Sequence, residues 1–147
     1  MSSVKGTNAT KYDSPTIDNR MNPGIVDGRV KVFQDTYEAA ALEAGSTITM
    51  GPVLPTGAQI LEVILHSDDL ANNTTLAVGD AEDTDRYITA TDHGAGSETI
   101  TRLNAIGGRN YEIDMTTAST PDNRILITTA AGAATGTIKL TVLYTND

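Results

Sequence analysis

The densest group of side chains that could do chemistry is the run GDAEDTDR at residues 79–86. It places four carboxylates within six residues, and carboxylate oxygens are the ligands that a hard cation such as calcium prefers. The spacing departs from the EF-hand loop, because Thr84 stands at the fifth position and no glycine follows it. We favour a solvated acidic turn in which Arg86 pairs with one acid. The alternative is a calcium site whose ligands would come from four residues: Asp80, Glu82, Asp83 and Asp85.

Nucleophilic catalysis needs a hydroxyl, a base and an orienting carboxylate brought together. Ser67, His93 and Asp92 supply these types, but most chains of this size contain such a set. No G-x-S-x-G nucleophile elbow is present. The sequence therefore predicts no catalytic residue and a protein that is not an enzyme.

A zinc site is conceivable from imidazole and carboxylate ligands. It would use His66 and His93 with Asp68 or Asp69, but nothing in the local spacing brings the two histidines together. The chain has no cysteine, so a disulfide or thiolate metal site is excluded. We predict no cofactor, with calcium at the acidic turn as the exception to be tested.

The elements that must position these side chains are predicted to be β-strands. Short stretches alternate apolar and polar residues and are separated by glycine, proline, asparagine and aspartate. They recur at intervals of about 8–14 residues and number roughly eight, which is typical of a sandwich or barrel. The 23 threonines also favour pleated structure. The predicted fold is all-β, an antiparallel β-sandwich of about eight strands; a jelly roll is favoured and an immunoglobulin-like sandwich stays open.

The strongest strand prediction covers residues 58–66. Leu61, Val63 and Leu65 should share one face, and Ile60 and Ile64 the other. Because both faces are partly apolar, this strand should be central or covered by a neighbour on its second face. Residues 38–44 have helix propensity and read as one helical turn or as the end of a strand. Alternation at residues 111–116 predicts a further strand.

Net charge limits the possible partners. The formal charge is −9 over 147 residues, whereas proteins that bind nucleic acid or anionic lipid usually carry a basic patch. No run of 18 apolar residues predicts a transmembrane helix, and the first residues lack the apolar core of a signal peptide. We expect no nucleic-acid or membrane partner. We expect the protein to be synthesised in the cytoplasm.

Residues 1–28 differ from the rest of the chain and are predicted to form an extended N-terminal arm, with residues 29–147 as the β-sandwich domain. Three cations and three aspartates cancel there, so the net charge lies on the domain. A frayed terminus is one interpretation. The other is an arm that becomes ordered on a neighbouring chain, because a purely solvated tail has no use for spaced apolar residues. The predicted apolar anchors are Val4, Tyr12, Ile17, Met21 and Ile25, and the predicted polar contacts are Lys5, Lys11 and Arg20.

Residues 44–87 contain three consecutive motifs that resemble those of a known class of proteins. AGSTITMG, then LPTGAQILEVIL and TTLAVGDAEDTDRY, follow one another in this order. The pattern resembles small β-sandwich virion structural proteins of tailed bacteriophages: a Gly-x-Thr strand, a Leu-Pro-x-Gly-Ala turn, an Ile-Leu-rich strand and a Val-Gly-Asp turn ahead of Asp-Arg-Tyr. Outside these residues the likeness extends only to further strands.

Among such proteins the chain is most similar to capsid decoration, or cement, proteins. The resemblance implies a jelly roll that forms a homotrimer, binds the major capsid protein on the capsid exterior, stabilises the shell and grips it through a terminal arm. It implies synthesis in the host cytoplasm. A head–tail connector or tail protein is the first alternative, and a carbohydrate-binding β-sandwich module is the second.

Overall fold

Two four-stranded antiparallel sheets face each other in the structure, a computed structural model that describes residues 29–71, 73–114 and 124–146. These residues contain no helix, and therefore none long and apolar enough to cross a membrane. The strands are β1 (Val30–Leu42), β2 (Thr47–Met50), β3 (Gln59–Ser67), β4 (Thr75–Gly79), β5 (Ile88–Asp92), β6 (Thr99–Arg102), β7 (Ile125–Ala130) and β8 (Ala134–Thr145).

The strand order is that of a jelly roll. Sheet A has the order β1-β8-β3-β6, and sheet B has the order β2-β7-β4-β5. The first strand therefore pairs with the last, the second with the seventh, the third with the sixth and the fourth with the fifth. These pairs form one long antiparallel ribbon that is rolled onto itself. The β3–β8 and β4–β7 pairs close the roll. The predicted all-β sandwich of eight strands and its jelly-roll form are confirmed.

The core lies between the two sheets, because most of the strands turn one apolar row inward. Its largest fully buried side chains come from both sheets and their connections: Tyr87, Met50, Leu54, Ile60, Leu65, Leu70, Leu76, Ile88, Ile125, Ile127, Ile138 and Leu140. As predicted, β3 is central, with β8 on one side and β6 on the other.

The predicted faces of β3 are wrong at its start. The register against β8 shifts between Ile60 and Glu62, which leaves Leu61 as an extra residue in a β-bulge. Ile60 is therefore fully buried on the same side as Val63 and Leu65, while Leu61 is half-exposed. A one-residue insertion reverses the alternation, and the local sequence carries no sign of it.

The segment that read as a helical turn or a strand end is strand. β1 continues through Leu42 and pairs with β8 along its length, with a register shift between Ala39 and Leu42. Ala41 has a φ of 51° at this irregularity. Tertiary pairing overrides the modest helix propensity of the alanines.

The strand predicted at residues 111–116 is wrong within the described part, which ends at Asp114. Glu112 forms an isolated bridge with Gln59, and the amide of Ile113 donates to the carbonyl of Ala58 at 2.8 Å. The segment therefore lies along the start of β3 without continuing as a strand. The strand that follows β5 is β6, which lies in a glycine-containing stretch of the chain.

Candidate functional site

Asp80 organises the acidic turn between β4 and β5. Its Oδ1 accepts hydrogen bonds from the amides of Glu82 and Asp83, both at 3.0 Å. Its Oδ2 accepts one from Nε of Arg86 at 2.6 Å. The guanidinium carbon of Arg86 also lies 4.1 Å from the ring centroid of Tyr111, a cation–π distance. The predicted pairing of Arg86 with an acid of the turn is confirmed, and the pair is largely buried rather than at the surface.

The other carboxylates of the turn interact with different neighbours. Oε2 of Glu82 lies 3.8 Å from Nη2 of Arg86. A hydrogen bond with the Asp83 carboxyl raises the pKa of Asp85 above its ordinary value, and burial and the charge of Asp83 act in the same direction. Within residues 29–71, 73–114 and 124–146, no three His, Asp or Glu side chains form a group that could hold a metal ion. Calcium binding at the turn stays the alternative to a solvated turn, to be decided by a binding measurement.

Two members of the considered catalytic set do meet. Oγ of Ser67 lies 2.7 Å from Nδ1 of His93, and both side chains are buried. Oγ1 of Thr101 lies 3.2 Å from Nε2 of the same ring. Burial lowers the pKa of His93 from 6.5 to about 4, so the ring is neutral at pH 7.

The carboxylate of that set lies elsewhere. Oδ1 of Asp92 accepts from the amide of Gly94 at 2.9 Å. The imidazole is therefore oriented by two hydroxyls inside the sandwich, in a site closed to substrate. The backbone of His93 joins neighbouring turns, because its carbonyl accepts from Leu70 at 2.9 Å and its amide donates to Thr74 at 2.8 Å. This geometry stabilises the fold at one end of the sandwich.

His66 is on the outer face of sheet A, where its Nε2 contacts the carboxylate of Glu98. It is half-buried, whereas His93 is fully buried. The described residues offer no third ligand that would make a zinc site with either ring.

A groove of about 490 Å³ crosses the outer face of sheet A, and the sequence did not reveal it as a site. Two cross-strand rows frame it: Gln34, Thr141, Ile64 and Arg102 in one, and Thr36, Lys139, His66 and Ile100 in the other. Ile100 is 61% exposed, and on the same face of β1 Val30 and Val32 are 58% and 61% exposed. The available signal was the second apolar face of residues 58–66.

The outer face of sheet B has a different character. Cross-strand neighbours place Thr47 opposite Thr128, and Thr128 opposite Ala77. Ala77 is nearly buried, and no large apolar side chain of β2, β4, β5 or β7 is exposed. The two faces of the sandwich therefore differ, and the large exposed apolar side chains of the strands are confined to sheet A.

The predicted arm contacts fall outside the described residues. The structure accordingly says nothing of the eight side chains assigned to them: Val4, Lys5, Lys11, Tyr12, Ile17, Arg20, Met21 and Ile25.

Comparisons with protein-family models and with curated proteins give no match. Solved structures do match. A chain of the cyanophage Pam1 capsid asymmetric unit is 29% identical, with a TM-score of 0.64, over 82% of this chain and 86% of that one. A chain of the capsid of Ralstonia phage GP4 is 22% identical, with a TM-score of 0.59, over 87% of this chain and 92% of that one; at this identity it shows the fold alone. The predicted resemblance to phage virion structural proteins is confirmed, and it supports a structural role in a virion.

Proposed function

We propose that this protein is a capsid decoration protein, which binds an assembled phage shell from outside and stabilises it. The observation that carries the proposal is the similarity to a chain of the Pam1 capsid asymmetric unit. The match covers more than four-fifths of each chain, so the two have similar lengths as well as one fold. A jelly roll of this size can cover part of an assembled shell without being the protein that builds the shell.

The partners in this proposal are the major capsid protein and further copies of the chain, as a homotrimer. Residues 1–28 grip neighbouring subunits through the spaced apolar side chains already named. Such a segment can add a strand or fill a groove on another chain. Three arms on one trimer would multiply a weak contact into strong binding. The acidic domain keeps many copies soluble before assembly.

The chemistry of the described residues agrees with a binding role. The one serine–histidine pair is buried and has no carboxylate on its ring. The groove on sheet A has no aromatic lining residue, whereas glycan-binding sandwiches commonly use an aromatic platform. These features favour protein contact over catalysis or sugar recognition.

Quantitative mass spectrometry of purified virions tests the proposal. A protein that covers a symmetric shell is expected at on the order of a hundred copies or more per particle. A connector or tail part would be present at about a dozen copies or fewer, and that count would refute the decoration role. Particles assembled without the protein should also release DNA at lower temperature than complete particles.

A further inference from the structure

We infer that the groove on the outer face of sheet A docks an extended segment of the shell protein that carries a carboxylate next to an aliphatic side chain. The inference rests on the proposed function and names the surface of the domain that performs it. The arm would then supply reach, and this groove would supply the fixed contact of the folded domain.

The walls and floor of the groove combine apolar and cationic groups. Ile64, half-buried at its centre, pairs with Arg102 on one side and with Thr141 on the other. In the next row, His66 separates Lys139 from the exposed Ile100. The two cations thus lie diagonally across a strip of isoleucine, which an acidic and aliphatic segment would complement.

Arg102 and Lys139 are both exposed. Elsewhere in the domain, Arg86 is bound by Asp80 and Arg109 lies 3.7 Å from Glu62. Among the residues that the structure describes, no carboxylate lies within ion-pair distance of Arg102 or Lys139. Two exposed cations outside an ion pair give this face a positive component in a protein of charge −9, which a carboxylate of a partner can complement.

Asp35 is the carboxylate among the lining residues of the groove, and backbone amides of this chain already donate hydrogen bonds to both of its oxygens. Oδ1 of Asp35 accepts from the amide of Thr36 at 2.8 Å, and Oδ2 accepts from the amide of Gly51 at 2.7 Å. Asp35 therefore fixes the loop beside β1 instead of neutralising the cations. An incoming carboxylate would meet Arg102 and Lys139 without displacing Asp35. Two further acids line the small cavity beside Lys139: Glu98, which contacts His66, and Asp68, whose pKa the charge of Lys139 lowers.

Exposed aliphatic side chains give the same face its apolar component. Val30 and Val32 continue the outer row of β1, next to the half-buried Leu143 of β8. Chain positions 1–28 precede this row directly. Val30 and Val32 therefore extend the apolar part of this face from the groove to the start of β1.

The test uses the full-length protein and capsids of its phage prepared without it. Binding is measured by co-sedimentation over a range of protein concentrations. Arg102→Glu with Lys139→Glu, and separately Ile100→Ser, should each weaken binding by about tenfold or more. The matched controls are Lys31→Glu, on the opposite face of β1, and Ile106→Ser, an isoleucine 95% exposed in a loop away from the groove. Both controls should bind like the wild type.

Salt dependence provides a second measurement, made first on the wild type and then on the charge-reversal variant. Wild-type binding should weaken as sodium chloride rises, because exposed charge pairs are screened. The slope should be smaller for the charge-reversal variant, whose circular dichroism and melting temperature must match those of the wild type.

The outcomes separate the two proposals. If the wild-type protein does not bind capsids, the decoration role fails, and the groove inference fails with it. If the wild type binds and the groove variants bind equally well, the groove inference is wrong and the decoration role stands. Loss of self-association with unchanged capsid affinity would also overturn the inference, because the groove would then be a contact between copies.

Discussion

Nε of Arg86 lies 2.6 Å from Oδ2 of Asp80, and this largely buried ion pair closes the turn between β4 and β5. The same carboxylate accepts two backbone amides, while the guanidinium stacks on Tyr111. One side chain thus links the acidic turn to the segment that runs beside β3.

Removal of either partner should therefore destabilise the domain. Arg86→Ala leaves a poorly solvated carboxylate and removes the contact with Tyr111, and we expect a loss of about 2–4 kcal/mol in the free energy of unfolding. Urea denaturation at pH 7 measures it. Thr84→Ala, at an exposed residue of the same turn, is the matched control and should cost less than about 0.5 kcal/mol. An equal effect of the two substitutions would contradict the assigned role of the pair.

Calcium should leave the acidic turn unchanged. The Asp80 oxygens already accept from Arg86 and from two amides, so binding a cation would require breaking those hydrogen bonds. We expect the melting temperature in millimolar calcium chloride to equal that in EDTA. A calcium-dependent rise that is abolished by Asp80→Ala with Asp83→Ala, and not reproduced by magnesium, would instead establish the calcium site.

His93 should make the domain sensitive to mild acid. Burial lowers the pKa of its ring in the folded state to about 4, against 6.5 for an ordinary histidine. Between these values the unfolded chain binds a proton that the folded chain does not. The contribution of His93 is therefore complete above pH 6.5 and falls as the pH drops towards 4, by about 1.4 kcal/mol per pH unit and about 3 kcal/mol in all.

Urea denaturation at pH 7.5 and pH 4.5 checks this prediction. His93→Gln is less stable at pH 7.5 but should show a smaller loss between the two pH values. The hydrogen bond from the Thr137 amide lowers the pKa of Asp68 below 3.8, so that group loses its contribution only below this window. The same pH dependence in His93→Gln and in the wild type would rule out His93 as its cause.

Deletion of residues 1–28 should separate folding from capsid binding. Both sheets and the core lie within the described residues from position 29 onward, so the shortened protein should keep the β-sheet circular dichroism of the full chain. It should no longer load onto capsids, because the proposed arm is missing. A full-length variant with Tyr12→Ser, Ile17→Ser and Met21→Ser should show an intermediate loss. Unchanged affinity after the deletion would refute the arm as the gripping element.

Much of this fold could be predicted from local sequence. Alternation and turn residues locate most strands, and the two apolar faces of residues 58–66 identify the central strand. Two of the exceptions share a cause. The bulge at Leu61 and the extension of β1 through Leu42 depend on pairing with β8, which is distant in sequence. Short-range patterns cannot encode such pairing.

The site was harder to predict for the same reason. Ser67 and His93 are 26 positions apart, and they meet only because the β3–β4 turn packs against the end of β5. The groove uses four strands, none of which has an unusual pattern by itself. In contrast, the pairing of Arg86 with an acid of its own turn is local and was predicted.

The antiparallel register places Val30 opposite Thr145, so the chain enters and leaves the sandwich side by side. The β3–β4, β5–β6 and β7–β8 connections lie together at the other end, where Leu70 bonds to His93 and accepts from Thr135. This arrangement matters for peptide display on phage particles. A foreign peptide that continues from the end of β8 would start beside Val30, the first residue of β1, whereas one inserted in the β3–β4 turn would start at the opposite end.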